Sequence, residues 1–170
     1  ILGKYFGVEG FYTALCGAMG VRAGETVEDF MLRSCLDEVF DGQGLREAAR
    51  LMIDLGGVSD KKHGQFIADW LALSAAERAG ERDFSSYKMA FFTTKGELRA
   101  KLCSNAVVKA MQEAPGVLLR EAQRLENFLD EVNSLNVAVL TRDICLVCEE
   151  ILLRYKKIKM QQSALDFDDM

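Results

Sequence analysis

The sequence predicts an all-α protein with one long C-terminal helix, and three observations lead to that prediction. Hydrophobic residues make up 49% of the 170-residue chain, which is enough to build a buried core. Pro115 is the one proline, so little in the composition forbids helix interiors. Apolar residues also recur at helical spacing in most segments between glycine clusters.

The first half predicts four helices separated by glycines. Residues 11–19 form a short one between flanking glycines. Thr26 is suited to cap a second helix, whose apolar positions continue to Phe40 and which Gly42 and Gly44 end. A third covers residues 45–55 and stops at Gly56-Gly57, and a fourth opens near Asp60 and carries Trp70.

The middle of the chain changes character. Residues 91–99 contain Thr93-Thr94 and Lys95-Gly96, a composition that favours an exposed turn or short hairpin over a helix. Ser104 can cap a short helix that runs to residue 112 and ends at Pro115-Gly116, because the residue before a proline avoids helical geometry.

The last third has the clearest helical pattern. Leu118 to Val132 and then Leu140 to Ile158 repeat apolar residues every three or four positions, with a register slip at residues 133–136. Two helices meeting near Ser134 would satisfy this pattern, but we favour one long bent helix over residues 117–160. Tyr155 and Ile158 are expected to face inward.

Charge divides the chain unevenly. The net charge is −5, which argues against strong nonspecific binding to DNA by the chain as a whole. Residues 86–120, however, hold 6 basic and 2 acidic side chains, a local charge of +4. This basic middle is where a phosphate backbone is expected first.

The cysteines and the histidine each allow a catalytic and a structural interpretation. Cys145 and Cys148 have the spacing of a redox or metal pair, yet no second Cys or His pair completes a zinc site, so core packing is the favoured interpretation. Five cysteines also form an odd set, which argues against a disulfide framework. His63 follows two lysines and has no evident partner for general base catalysis, so we expect it to face solvent.

The C-terminal stretch resembles a signature of superfamily-one DNA helicases of the UvrD, Rep and RecB group. In that signature a helix ends in Tyr, then come Lys, a few polar residues and Leu-Asp-Phe-Asp-Asp; here these are Tyr155, Lys159 and residues 165–170. Without that resemblance, the three aspartates could be mistaken for a metal cluster or read as helix-initiating residues. In the family this element closes an inserted accessory subdomain, called 1B, and returns to the motor domain.

A second stretch is similar to the AddA proteins, particularly those of alphaproteobacteria. Phe91-Phe92-Thr93 followed by Gly96-Glu97-Leu98-Arg99 resembles their Phe-Leu-Thr and Gly-Glu-Pro-Arg motif, and Trp70, Tyr87 and Ala114-Pro115 follow in the family's order. Leu98 departs from the usual proline, which puts the conformation of the loop in question.

The resemblance implies a fragment of a bacterial, cytoplasmic, ATP-dependent DNA helicase and exonuclease that repairs double-strand breaks with an AddB-like nuclease subunit. The chain begins at Ile1 and ends at Met170 without a phosphate loop, so ATP and Mg are expected only in the parent protein and no cofactor is expected here. We expect a single helical domain over residues 1–170. Its parts are a helical part (1–83), a basic loop region (84–103), a short helix plus the long helix (104–163) and a return to the motor domain (164–170). No membrane partner is expected, since no apolar run reaches bilayer length and no signal peptide is visible.

The expected role is non-catalytic contact with DNA near the unwinding junction. The first candidates for phosphate contact are the cations Lys95, Arg99 and Lys101 with the hydroxyls of Thr93 and Thr94, and the second candidates are Lys156, Lys157 and Lys159. Residues expected to anchor the insert on the motor domain are Tyr155, Leu165, Asp166, Phe167, Asp168 and Asp169. A helical protein interaction module that docks AddB is the main alternative, and a thiol enzyme using Cys145 and Cys148 is the third.

Overall fold

A computed structural model describes residues 7–161 of the chain. Within this range the protein is all-α, as the sequence predicts, and contains no β-strand. Its eight helices are α1 (Val8–Met19), α2 (Val27–Ser34), α3 (Gly42–Leu55), α4 (Val58–Ala72), α5 (Ala75–Arg78), α6 (Glu81–Lys88), α7 (Asn105–Ala110) and α8 (Ala114–Gln161).

The chain divides into two compact units. We call Thr26–Asp130 the central unit, and Ile1–Glu25 with Glu131–Met170 the terminal unit. Helix α8 is continuous over 48 residues and contributes to both. This confirms the long C-terminal helix in place of two helices meeting near Ser134, whereas the single domain expected over residues 1–170 stays a prediction.

In the terminal unit, α1 packs a small core. Tyr12, Cys16 and Ala138 are buried together, and Leu15 and Met19 pack against them. Gly20 ends α1 with a φ of 73°, a left-handed conformation that glycine adopts without steric cost. The Arg142 guanidinium lies 5.0 Å from the centre of the Tyr12 ring, a cation–π distance.

The central unit is built on the antiparallel pair α3 and α4 and on a stack of aromatic rings. Gly64 of α4 lies so close to α3 that a Cβ there would stand 2.8 Å from the Ala49 carbonyl oxygen. Trp70 and Tyr87 stack with ring centres 3.9 Å apart, and Phe91 meets Tyr87 edge-on. These rings anchor the chain at Phe91, where a hairpin begins.

Two helix boundaries differ from the sequence-based expectation. The helix expected to continue from Thr26 to Phe40 ends at Ser34, and turns follow. Gly42 and Gly44 begin α3 instead of ending α2, because the Asp41 carboxylate accepts the Gly44 N–H at 2.9 Å and caps the new helix. The expected basic loop region also starts too early, since residues 84–88 belong to α6.

Pro115 was expected to end a helix, and that expectation is wrong. It lies in the first turn of α8, together with Gly116. Proline fits there because the first N–H groups of a helix have no intrahelical partner and the ring pre-sets the helical φ. The short helix before it ends at Ala110, not at residue 112.

Candidate nucleic-acid interface

Residues 91–99 form a tight hairpin turn. Thr93 N–H donates to the Glu97 carbonyl at 2.8 Å and Arg99 N–H donates to the Phe91 carbonyl at 3.0 Å, which pairs Phe92 with Leu98 in an isolated antiparallel bridge. Gly96 takes the turn with a φ of 81°. Neither bond involves the Leu98 N–H. The hairpin therefore does not need a hydrogen-bond donor at position 98, where the AddA motif has proline.

Thr93 and Thr94 play unequal parts in this turn. The Thr93 hydroxyl oxygen accepts from the backbone N–H groups of Lys95 and Glu97, both at 3.3 Å, and so holds the turn together. Thr94 is exposed at the tip. Thr94 is therefore the hydroxyl that an external group reaches more readily, and Thr93 is mainly structural.

Three cations lie on the hairpin or within two residues of its end, and we call them the hairpin surface: Lys95, Arg99 and Lys101. Lys95 and Lys101 are exposed, and Arg99 is half-buried. Lys101 Nζ donates to the Asn105 side chain at 3.1 Å. Among residues 7–161 none of the three has a carboxylate oxygen within 4.0 Å of its charged nitrogens.

A groove with a volume of about 430 Å³ lies beside the hairpin. We call it the Arg99 groove; its lining residues are Leu98, Arg99, Ala100, Lys101, Leu102, Cys103, Val108, Pro115 and Leu119. Its walls are therefore mostly apolar, with two cations among them. Small pockets with an apolar lining and a few polar groups are typical of ligand sites.

Arg99 differs from two other arginines in the interior of the central unit, Arg78 and Arg124. Arg78 pairs with Asp37 at 2.6 Å, and Arg124 pairs with Glu121 at 2.6 Å. Arg99 has no such carboxylate, and its buried Nε has no hydrogen-bond partner within the part of the chain that the structure describes. An uncompensated cation of this kind attracts an anion.

His63 was expected to face solvent, and the structure places it in the interior, with 7% of its surface exposed. Its Nδ1 lies 3.4 Å from the Ser59 hydroxyl. Burial lowers the pKa of His63, the positive charges of Arg99 and Lys62 lower it further, and Asp60 acts in the opposite direction. His63 is therefore an interior residue whose pKa depends in part on the charge of Arg99.

Asp60 ties this neighbourhood to the chain that follows the hairpin. Its carboxylate accepts the Ser104 N–H at 3.1 Å, although the two residues are 44 positions apart. The Ser104 hydroxyl does not cap α7 as expected; it is buried and has no partner among the described residues. No local sequence pattern indicates this contact, because the two residues are far apart in the chain.

The second group of cations lies elsewhere in the fold. Lys156 and Lys157 are exposed on the last turns of α8, in the terminal unit, and Lys159 Nζ lies 6.0 Å from the centre of the Tyr155 ring. Tyr155 and Ile158 were expected to face inward, which is wrong, since they are 50% and 52% exposed.

Those two residues belong to a longer exposed stripe on α8. Its members recur every three or four positions, and each is at least half exposed: Leu140 62%, Ile144 55%, Val147 60%, Ile151 59%, Tyr155 50% and Ile158 52%. We call this stripe the apolar face. Contiguous exposed apolar surface of this kind is typical of protein interaction sites.

The other anchoring candidates, Leu165, Asp166, Phe167, Asp168 and Asp169, lie outside the described residues. The core role favoured for Cys145 and Cys148 is wrong, because Cys145 is only half-buried and Cys148 is exposed. Cys16, Cys35 and Cys103 are buried, as expected for packing residues. Among residues 7–161 no three His, Cys, Asp or Glu side chains group as a metal-ligand set.

The described structure thus defines a helical protein with a cationic hairpin and an exposed apolar helix face. Comparison with known protein families, curated proteins and solved structures finds no match for this chain. None of the helices in the described range combines the length and hydropathy that crossing a bilayer requires.

Proposed function

We propose that the chain is a non-catalytic accessory domain of an ATP-dependent DNA helicase and exonuclease of the AddA type, acting in repair of double-strand breaks. Its hairpin surface contacts DNA phosphates near the unwinding junction. The parent enzyme supplies ATP and Mg chemistry, and an AddB-like subunit works beside it in the bacterial cytoplasm. The resemblance of residues 91–99 and 155–170 to that family supports this assignment.

One observation carries the proposal: the three cations of the hairpin surface have no ion pair among the described residues. Over residues 95–112 the cations Lys95, Arg99, Lys101 and Lys109 face a single acid, Glu97, which gives 4 − 1 = +3. When DNA binds, an unpaired cation displaces counterions from the phosphates. A cation that already has an acidic partner displaces few of them. The surface therefore suits binding that positions DNA without reading its sequence.

Binding of a forked duplex at several salt concentrations tests this role. The triple variant K95E/R99E/K101E should bind at least tenfold more weakly, and its salt dependence should flatten by up to about 2.7 units of slope, since three phosphate contacts disappear. The matched control K61E/R50E/R82E has the same change in charge at exposed positions of the central unit. If both variants weaken binding equally, the hairpin surface is not the interface.

A second candidate function is a helical protein interaction module. The apolar face of α8 favours it, because six large side chains are at least half exposed on one stripe. The occupant in this case is the rest of the helicase chain or an AddB-like subunit, which removes the stripe from water.

The double variant I144E/I151E distinguishes the two functions. It should abolish association with the rest of the helicase chain or the AddB-like subunit while the isolated domain still binds forked DNA. The control is E149Q, an exposed position of the same helix. Unchanged association of I144E/I151E with both proteins would remove this second candidate.

A further inference from the structure

We propose that the Arg99 groove holds one unpaired nucleotide of the DNA, with its phosphate against Arg99 and Lys101 and its sugar and base against Leu98, Pro115 and Leu119. This inference rests on the proposed function and deepens it. The hairpin surface alone can contact the continuous phosphate backbone of DNA. The groove adds a site for a nucleotide whose base is no longer stacked on its neighbours.

The charge of Arg99 favours an anionic ligand. Arg78 and Arg124 show how this protein compensates arginines in its interior, with a carboxylate 2.6 Å away in each case. Arg99 is half-buried, lines the groove and lacks such a carboxylate among the described residues. A guanidinium of this kind is suited to phosphate, which accepts its hydrogen bonds with matching geometry.

The size and the apolar lining of the groove also favour a nucleotide. Leu98 and Leu119 are 40% and 41% exposed, so their apolar surfaces are open to a ligand. A volume of about 430 Å³ lies near the small end of ligand pockets and suits a single nucleotide.

A nucleotide can enter only when it is unpaired, since its base must leave the stack. A base packs against apolar side chains through its flat face, so the groove accepts different bases. The expected ligand is therefore the single strand beside a junction, and not the continuous duplex.

His63 provides a direct test, because it is the sole histidine of the chain and gives an unambiguous imidazole signal in NMR. The positive charge of Arg99 is one of the causes that hold the His63 pKa down. A phosphate bound to Arg99 should offset that charge, so a six-nucleotide thymidine strand should raise the midpoint of the His63 titration. The variant R99Q should lose this response and bind the strand about tenfold more weakly.

The apolar part of the site is tested separately by a matched pair of variants. L119N should weaken binding of the strand several-fold. L32N should leave it unchanged, since Leu32 is similarly exposed at 43% but does not line the groove. Circular dichroism of both variants confirms that each is folded.

Several results would overturn the inference while the proposed function stands. These are a strand that binds without moving the His63 titration, L119N binding like L32N, and a blunt duplex that moves the titration as strongly as the strand. Inorganic phosphate that matches the strand at equal concentration, or an acidic peptide that binds more tightly, also overturns it. If neither the strand nor the forked duplex binds the intact domain at all, the proposed function fails as well.

Discussion

The Tyr87 hydroxyl donates to Glu121 Oε1 at 2.6 Å, and both side chains are buried. Arg124 donates to Glu121 Oε2 at 2.8 Å and to the same Oε1 at 2.6 Å, and it also donates to the Ser34 carbonyl at 3.0 Å. Burial raises the pKa of Tyr87, and the negative charge of Glu121 raises it further, so the phenol remains a donor. This network joins α6 and α2 to α8.

Removing Glu121 should therefore be far more costly than removing the Tyr87 hydroxyl. E121A leaves Arg124 half-buried without its carboxylate, and the free energy of unfolding should fall by about 3–5 kcal/mol. Y87F leaves Glu121 bonded to Arg124 and should cost about 1.5 kcal/mol. Urea unfolding measures both, with E126A at an exposed position of α8 as the control. Equal losses for Y87F and E121A would contradict this ranking.

Arg78 stabilises the C-terminal end of α4. Its guanidinium donates to the carbonyl oxygens of Trp70 at 3.2 Å, Leu71 at 3.0 Å and Cys35 at 3.3 Å, and of these the Trp70 carbonyl also accepts the Leu73 N–H at 3.2 Å. R78A should lower the free energy of unfolding by about 3–5 kcal/mol, because several buried acceptors lose their donor.

The ion pair between Arg78 and Asp37 should contribute little to the free energy of unfolding, and the variant D37N tests this. Asp37 is 75% exposed, so its pairing with Arg78 is screened by water and D37N should cost less than about 1 kcal/mol. Thermal or urea unfolding compares the two variants directly. A loss for D37N as large as that for R78A would show that the salt bridge, and not the carbonyl contacts, is what matters.

Replacing Gly64 and Gly116 with alanine should change the free energy of unfolding in opposite directions. In G64A the new methyl would meet the Ala49 carbonyl oxygen at 2.8 Å and separate α3 from α4, at a cost of about 1–3 kcal/mol. In G116A the nearest atom is a flexible Arg120 nitrogen at 3.5 Å, so the lower entropy of the unfolded chain should raise stability by up to about 1 kcal/mol. Unfolding midpoints in urea show the sign, and a stabilised G64A would contradict the close packing.

Stability should depend on pH through His63. Its pKa is lower in the folded chain, so the unfolded chain takes up the proton first as pH falls. The free energy of unfolding should thus decrease as pH falls through about 6.5, the ordinary histidine value, and level off below the folded pKa. H63N should flatten the curve just below about pH 6.5, and R99Q should shorten the pH range over which stability falls, because one cause of the lowered His63 pKa is removed. A wild-type curve that is already flat there would contradict the buried, neutral state.

Apolar periodicity predicted the α-helices well, most clearly in α8, where the pattern continues through the slip at residues 133–136 into one helix. Boundaries were predicted less well. Gly42 and Gly44 look like a stop signal by composition, yet the Asp41 cap makes them a start. Local propensity is weak beside a cap or a tertiary contact that satisfies backbone groups.

The candidate site was predicted in part. Lys95 and Arg99 lie on one hairpin because the Thr93-to-Arg99 turn is encoded locally, by threonine and glycine chemistry, and Lys101 follows this turn by two residues. The burial of His63 and the Asp60–Ser104 contact were not predictable, since they depend on residues distant in sequence.

The sequence by itself determined the helical class, the long C-terminal helix and the cationic turn, because periodicity, capping and turn chemistry act over a few residues. Only the tertiary structure decided that Arg78 and Arg124 have carboxylate partners while Arg99 has none among the described residues, and that the apolar residues of α8 from Leu146 to Ile158 are exposed. Burial and charge pairing depend on segments that meet only after folding, so no local pattern records them.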